Sequence, residues 1–229
     1  MTLRALIFDV DGTLAETEEA HRLAFNETFA AASLGWHWTV ADYRRLLATT
    51  GGKERMRRHR DDIGAREPCD ETIADLHQRK TIRYADILHG GGLTLRPGVQ
   101  DLVAAARDGG LKLAVATTTS RPNVDALCRA CWGLLSDQVF DVVAAGDEVS
   151  AKKPAPDVFL LALERLGLAA SEAIAFEDSL NGLRSAKAAG LRVIVTPSIY
   201  TCGEDFSAAD RLLPDLAALP APDLLRLWT

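Results

Sequence analysis

Short apolar segments that each stop at a polar cluster recur along this chain, with helical patterns between them. Leu3–Phe8 runs into Asp9, and Leu111–Ala116 runs into Thr117-Thr118-Thr119-Ser120. Val139–Ala145 runs into Gly146-Asp147, Ala173–Phe176 into Glu177-Asp178, and Arg192–Val195 into Thr196-Pro197. The first, second and last are rich in Leu, Ile and Val with little alternation, as expected of strands covered on both faces. Val99–Arg107 has apolar residues at helical spacing and stops at Gly109-Gly110. Pro156–Leu166 stops in the same way at Gly167, and Asn181–Ala189 at Gly190. Glycine after the last periodic residue is a helix stop. Strands alternating with helices require parallel βαβ connections, so the expected class is α/β with a doubly wound parallel sheet.

The stretch from 15 to 91 departs from this pattern. It shows helical periodicity over Ala20–Ala32, Val40–Leu47, Lys53–Ile63 and Glu71–Leu88, with no convincing strand, and then the linker His89-Gly90-Gly91-Gly92. A helical insertion therefore interrupts the α/β domain after its first strand. The expected division is a core of 1–14 and 92–229 and a helical domain of 15–91, and a chain of 229 residues can bury a core in each. Linkers around Glu16-Thr17-Glu18 and Gly90–Gly92 would make a hinge whose closure excludes water.

The net charge, 26 basic minus 32 acidic residues or −6, argues against a nucleic-acid binder. No apolar run approaches the roughly 18 residues that span a bilayer, and the start is too short and too soon charged for a secretory signal. The expectation is a cytoplasmic monomer without membrane or nucleic-acid partners. All five histidines (21, 37, 59, 77, 89) fall in the insertion without metal-ligand spacing. Cys128 and Cys131 lack the further ligands of a zinc site and read as small side chains on adjacent turns of one helix. Trp36-x-Trp38 reads as core or domain contact. From Tyr43 to Arg60 there are seven basic residues and one acid, Glu54. Such a run is ordinarily a solvated helix face, but the adjacent Gly51-Gly52 pair raises the prospect of an anion site.

The chemistry concentrates at strand ends. Asp9 and Asp11, two apart after the first strand, project to one side, and Gly12 permits the chain to turn off the sheet. Two such carboxylates can act as nucleophile and general acid/base. Thr117 offers a hydroxyl followed by backbone N–H groups. Lys153, held by prolines just before a helix, can neutralise a phosphate. Glu177-Asp178 offers hard oxygens suited to Mg²⁺. Ligands of open α/β sheets bind beyond the carboxyl ends of the strands, where all four clusters lie.

Asp9-x-Asp11-Gly12-Thr13, Thr117, Lys153-Pro154 and Glu177-Asp178-Ser179-x-Asn181-Gly182 resemble the four motifs of the haloacid-dehalogenase-like hydrolase superfamily, in its β-phosphoglucomutase and phosphoglycolate phosphatase branch. The resemblance spans the chain and implies a Rossmann-like core with a small all-helical cap. Glu16-Thr17-Glu18, His21-Arg22, Ala24-Phe25-Asn26, Trp36-x-Trp38 and Gly51–Met56 are further similar to the bacterial and plastid phosphatases that degrade xylulose-1,5-bisphosphate, a Rubisco inhibitor, in organisms running the Calvin cycle.

That resemblance implies an Mg²⁺-dependent phosphatase of a small-molecule sugar phosphate, releasing xylulose 5-phosphate and inorganic phosphate through an aspartyl-phosphate. Asp9 would be the nucleophile and Asp11 the acid/base. Asp9, Asp178 and the Asp11 carbonyl would hold the metal, with Glu177 orienting its water or ligating directly. Thr117 and the Thr118 amide would bind phosphate, and Lys153 would offset its charge. In the cap, Arg45, Gly52, Lys53 and Lys80 would meet a second phosphate, with Arg55 a weaker candidate. Glu18, His21, Arg22 and Tyr43 would contact the sugar or seat the cap. The motifs are equally compatible with a phosphomutase or a phosphoglycolate phosphatase. A non-catalytic sugar-phosphate sensor would be expected to lose Asp9 or Asp11.

Overall fold

A computed structural model describes residues 2–226. The elements in chain order are β1 (Ala5–Phe8), then α1 (Glu18–Ala31), α2 (Val40–Leu46), α3 (Gly52–Asp62) and α4 (Asp70–His89). There follow α5 (Val99–Asp108), β2 (Lys112–Ala116), α6 (Arg121–Trp132), α7 (Ser136–Val139), β3 (Val142–Ala144) and α8 (Asp157–Leu166). Last come β4 (Ala173–Glu177), α9 (Leu180–Ala188), β5 (Arg192–Val195), β6 (Arg211–Leu212) and α10 (Ala221–Arg226). The chain divides into two compact units, residues 1–16 with 93–229, and residues 17–92.

In the first unit all neighbouring strands are parallel, in the order β3-β2-β1-β4-β5-β6. β1 is flanked by β2 and β4, with Ala5 level with both Lys112 and Ala173. Its carboxyl end therefore lies where the strand order reverses, the site at which such sheets bind ligands. Small side chains (Ala5, Ala114, Ala116, Ala173, Ala175) line one face, and Val158, Phe159 and Ala162 of α8 and Leu183 and Ala186 of α9 pack there with no exposure. Burying a side chain such as Phe159 is worth about 1.5–3 kcal/mol. Elsewhere in the core, Phe8 stacks on Phe176 with centroids 4.7 Å apart and lies 6.5 Å from Phe140.

Val139–Ala145, read from its apolar run as one strand, is instead split. Asp125 accepts hydrogen bonds from the Ser136 amide (3.1 Å) and hydroxyl (2.5 Å), setting up the α7 turn that takes Val139. The Asp141 carboxylate then accepts from the Leu113 amide at 2.9 Å and from Lys112, leaving only Val142–Ala144 to pair with β2. The edge strand β6 has two exposed residues and no apolar run to announce it.

Cys128 and Cys131 do share one helix, α6, as unbridged thiols. Burial pushes Cys128 up to about 12 and Cys131 to about 11, so both stay protonated at neutral pH, the form that binds metals poorly.

In the second unit, α1 packs against α4, and its Phe25 and Phe29 belong to an aromatic cluster. Trp38 is fully buried 4.7 Å from Phe25 and 4.9 Å from Phe29, and His59 lies edge-on to it at 5.5 Å. Trp38 belongs to no helix or strand, yet its backbone is satisfied. Asn26 of α1 donates to the Trp38 carbonyl (2.9 Å) and accepts from its amide (2.8 Å). The next residue, Thr39, caps α2 through a reciprocal pair with Asp42. Among the described residues, no helix is long and apolar enough to cross a membrane.

Candidate active site

Asp9 continues the line of β1, its amide donating to the Phe176 carbonyl at 2.9 Å, so the carboxylate emerges beside the end of β4. The chain then turns back, with Leu14 N–H donating to the Val10 carbonyl and Gly12 N–H to the Ala15 carbonyl, both at 2.9 Å. Gly12 has φ 85°, and a Cβ there would sit 2.3 Å from Asp178 Oδ2 and 3.0 Å from Ser198 Cβ. Glycine is thus required twice over, by the left-handed backbone and by contact with a carboxylate. Asp11, on the same turn, is half-buried and bridges to Ala15.

Lys153 links the strand ends. Its Nζ donates to Asp9 Oδ1 at 2.6 Å and to Glu177 Oε1 at 2.5 Å, over the face of Phe159. Burial alone would lower the pKa of this ammonium, but the charges and hydrogen bonds of Asp9 and Glu177 outweigh burial and raise it, so Lys153 is a cation at neutral pH. Burial pushes the Glu177 carboxyl up to about 8 against the pull of Lys153, and the Asp9 charge adds to the rise. Glu177 also dictates its neighbour. A Cβ on Gly182 would fall 1.8 Å from Glu177 Oε2, so the first turn of α9, capped by Ser179, must be bare there.

Asp9, Glu177 and Asp178 are all buried, and each brings a carboxylate oxygen within 4.8 Å of the others. Three carboxylates against the one ammonium of Lys153 leave a net charge of −2 when ionised. Glu177 Oε2 has no hydrogen-bond partner among the described residues. A hard divalent cation supplies the missing charge and suits oxygen donors, so the donor set fits Mg²⁺.

Thr117, buried at the end of β2, accepts from the Thr119 amide at 3.2 Å, and Asn123 donates to the Thr119 hydroxyl at 2.8 Å. Thr118 is half-buried, and its carbonyl lies where a Cβ on Gly146 would come within 2.2 Å. The strand ends of β1, β2 and β4 thereby present Asp9, Thr117 and Glu177-Asp178, while Lys153 reaches in from the segment before α8.

The sequence-derived candidates of the helical unit fall into separate groups. Tyr43 OH donates to Glu18 Oε2 at 2.7 Å and accepts from Arg55 at 2.8 Å, with the guanidinium also 4.9 Å from the ring centroid. Lys80 is 3% exposed, hydrogen-bonds to His21, and lies over the rings of Phe25 and Tyr84. Gly52 begins α3, where a Cβ would meet His77 Nε2 at 2.5 Å. Lys53 is half-buried on the next position. Arg45 is 59% exposed and paired with Asp62 at 3.2 Å. Most of the basic run is a solvated, paired face, with Arg57 and Arg60 bonded to Asp70 and Arg58 to Asp62.

Residues that sequence reasoning passed over also stand at the strand ends. Arg96, Thr196, Ser198 and Thr201 are buried beside the Gly12 turn and Asp178. Arg96-Pro97-Gly98 announces only a turn before α5, and nothing local ties it to motifs about a hundred residues away.

A family model, haloacid dehalogenase-like hydrolase, matches residues 3–190. The chain is 61% identical over 218 residues to Protein CbbY of Rhodobacter capsulatus, covering 95% of this chain and 96% of that protein. Crystal structures of CbbY from Rhodobacter sphaeroides superpose closely. The complex with phosphate has a TM-score of 0.90 at 55% identity over 94% of this chain and 96% of that one. A point mutant in complex with xylulose-(1,5)bisphosphate gives 0.91 at 54% identity over 95% and 96%. With its four motifs gathered at the ends of a parallel sheet, the chain belongs to the haloacid dehalogenase-like hydrolase family and is a phosphatase.

Proposed function

We propose that this phosphatase is Mg²⁺-dependent and hydrolyses xylulose-1,5-bisphosphate to xylulose 5-phosphate and inorganic phosphate through an aspartyl-phosphate. The observation that carries the chemistry is the Asp9 carboxylate held between Lys153 and the Glu177-Asp178 pair. The similarity to a protein crystallised with xylulose-(1,5)bisphosphate supports the substrate.

Asp9 and Asp178, with the Asp11 carbonyl, would hold the cation, and Glu177 would orient water beside it. When bound, Mg²⁺ supplies neutralisation of the charges that meet as a carboxylate approaches a phosphate. Asp9 attacks phosphorus as the bond to the sugar oxygen breaks, and Asp11 gives that oxygen its proton. Asp11 then takes a proton from the water that attacks the aspartyl-phosphate, releasing phosphate and restoring Asp9. Thr117 and the Thr118 amide hold phosphate oxygens, and Lys153 offsets their charge. Phosphoryl transfer asks for little beyond such alignment and charge neutralisation.

The test is phosphate release from a panel of sugar mono- and bisphosphates ranked by kcat/KM, with phosphoglycolate and β-glucose 1-phosphate included. Xylulose-1,5-bisphosphate should lead by at least roughly tenfold, the scale of one well-placed contact. A higher rank for phosphoglycolate, or sugar-phosphate isomerisation without net phosphate release, would overturn the substrate assignment. Excess EDTA should reduce the rate to background, with recovery on adding Mg²⁺. Undiminished turnover in EDTA rules out the metal.

Recognition of the second phosphate is assigned to the helical unit, through Lys53, Lys80 and the Gly52 amide, while Arg45, already paired with Asp62, is the weakest candidate. Glu18 and Tyr43 would contact sugar hydroxyls from their shared network. Lys53→Ala should raise KM for the bisphosphate roughly 10- to 100-fold, the worth of a charge-assisted contact, and leave monophosphate KM nearly unchanged. Equal effects on both would remove Lys53 from this role.

A further inference from the structure

Two loops meet behind the acidic cluster, and one buried side chain ties them. Arg96, 9% exposed, donates from Nη1 to the carbonyl of Gly12, to the carbonyl of Thr196 (2.7 Å) and to its hydroxyl (3.2 Å). Nη2 donates to the Pro197 carbonyl at 2.7 Å, and Nε lies 3.3 Å from Glu16 Oε1. Its own amide donates to the Leu14 carbonyl at 2.8 Å. The guanidinium fork therefore spans the Asp11–Gly12 turn and the segment leaving β5, a geometry that lysine cannot reproduce.

That segment continues directly to Asp178. The Thr196 amide donates to the Glu177 carbonyl at 2.9 Å. Thr201 Oγ1 donates to the Asp178 carbonyl at 2.7 Å and lies 3.2 Å from Asp178 Oδ2. The Ser198 amide donates to Thr201 Oγ1 at 2.9 Å, which orients the hydroxyl toward Asp178. Ser198 and Thr201 are 1% and 6% exposed, so none of this is a surface arrangement. Gly12 closes the circuit, since only a bare Cα fits against Asp178 Oδ2 and Ser198 Cβ.

We propose that Arg96 and Thr201 are positioning residues that set Asp178 against the Asp9–Gly12 turn and so determine how tightly this phosphatase holds its divalent cation. This rests on the metal reading above and goes beyond it, because neither residue belongs to the groups assigned there to the metal or the phosphate. Partners of ligating groups typically change metal affinity 10- to 100-fold when removed.

The experiment measures Mg²⁺ binding directly by calorimetry on the resting protein, beside thermal melting and the Mg²⁺ dependence of phosphate release. Thr201→Val and Arg96→Lys should each weaken Mg²⁺ binding by roughly tenfold or more, whereas Thr201→Ser, which keeps the hydroxyl, should restore it to within about twofold. A purely structural role would lower the melting temperature of Thr201→Val and leave its Mg²⁺ affinity at the wild-type value. That result would overturn the proposal. If Arg96→Lys does not fold, the Val and Ser variants at 201 decide alone. Failure of the wild-type protein to bind Mg²⁺ would instead strike the metal reading, and the relay with it.

Discussion

Asp9→Asn is expected to lower phosphate release by roughly 10⁴-fold or more, the scale set by loss of a covalent nucleophile, without unfolding the protein. The amide oxygen of asparagine can still accept from Lys153, and the main-chain bond to Phe176 does not involve the side chain. The substitution also removes one of three clustered carboxylates that face a single ammonium, which relieves like-charge repulsion, so the melting temperature should hold or rise. Label from ³²P-substrate, quenched in acid during turnover, should be found on Asp9 of the wild-type chain and be absent from the variant. A variant turning over near the wild-type rate, or label on another side chain, would transfer the nucleophile's role elsewhere.

Lys153→Met should have the second-largest effect, because it damages catalysis and folding together. The ammonium bridges two carboxylates at 2.6 and 2.5 Å inside the protein. Withdrawing one partner from a buried ion pair typically costs about 3–5 kcal/mol, since the remaining charge cannot be solvated. Turnover should fall by roughly 10³-fold as the phosphate loses its counter-charge.

The pH dependence of stability follows from the same geometry. With its folded pKa raised, Lys153 gives its full stabilisation below the ordinary lysine value of 10.5 and loses it only as pH rises through the higher folded value. Glu177 works the other way. With its carboxyl held up to about 8, the folded state binds the more protons between the ordinary value of 4.5 and that point, so stability declines as pH rises across this window. In the methionine variant, measured in EDTA, the decline should steepen. Melting temperatures recorded from pH 5 to 8 with a slope no steeper than that of the wild type would show that Lys153 is not what offsets these carboxylates.

Much of this protein could be read from its residues because the signals are local. Hydrophobic runs without alternation marked β1, β2 and β5, and glycines after the apolar period marked the ends of α5, α8 and α9. The Asp9–Thr13 and Glu177–Gly182 motifs are legible because each is one strand end and the turn after it. Where contacts rather than periodicity set an element, the reading failed. Asp125 and Asp141, not the apolar run, cut β3 down to Val142–Ala144. The unit boundary falls after Glu16 rather than after residue 14, and there Ala15 bridges Leu95 while Arg96 pairs with Glu16.

By itself the sequence determined the fold class, the helical insertion and which residue types stand at the strand ends, since backbone periodicity and turn chemistry act over a few residues. The packed chain alone brings Lys153 between Asp9 and Glu177, sets the three carboxylates of their cluster with Asp178 against one ammonium, and places Arg96 and Thr201 to brace it. Those facts depend on side chains far apart in sequence, such as Asp9 and Asp178, sharing a buried volume too small to solvate them separately. Charge and hydrogen-bond compensation in such a volume is a property of the packed chain, not of any segment of it.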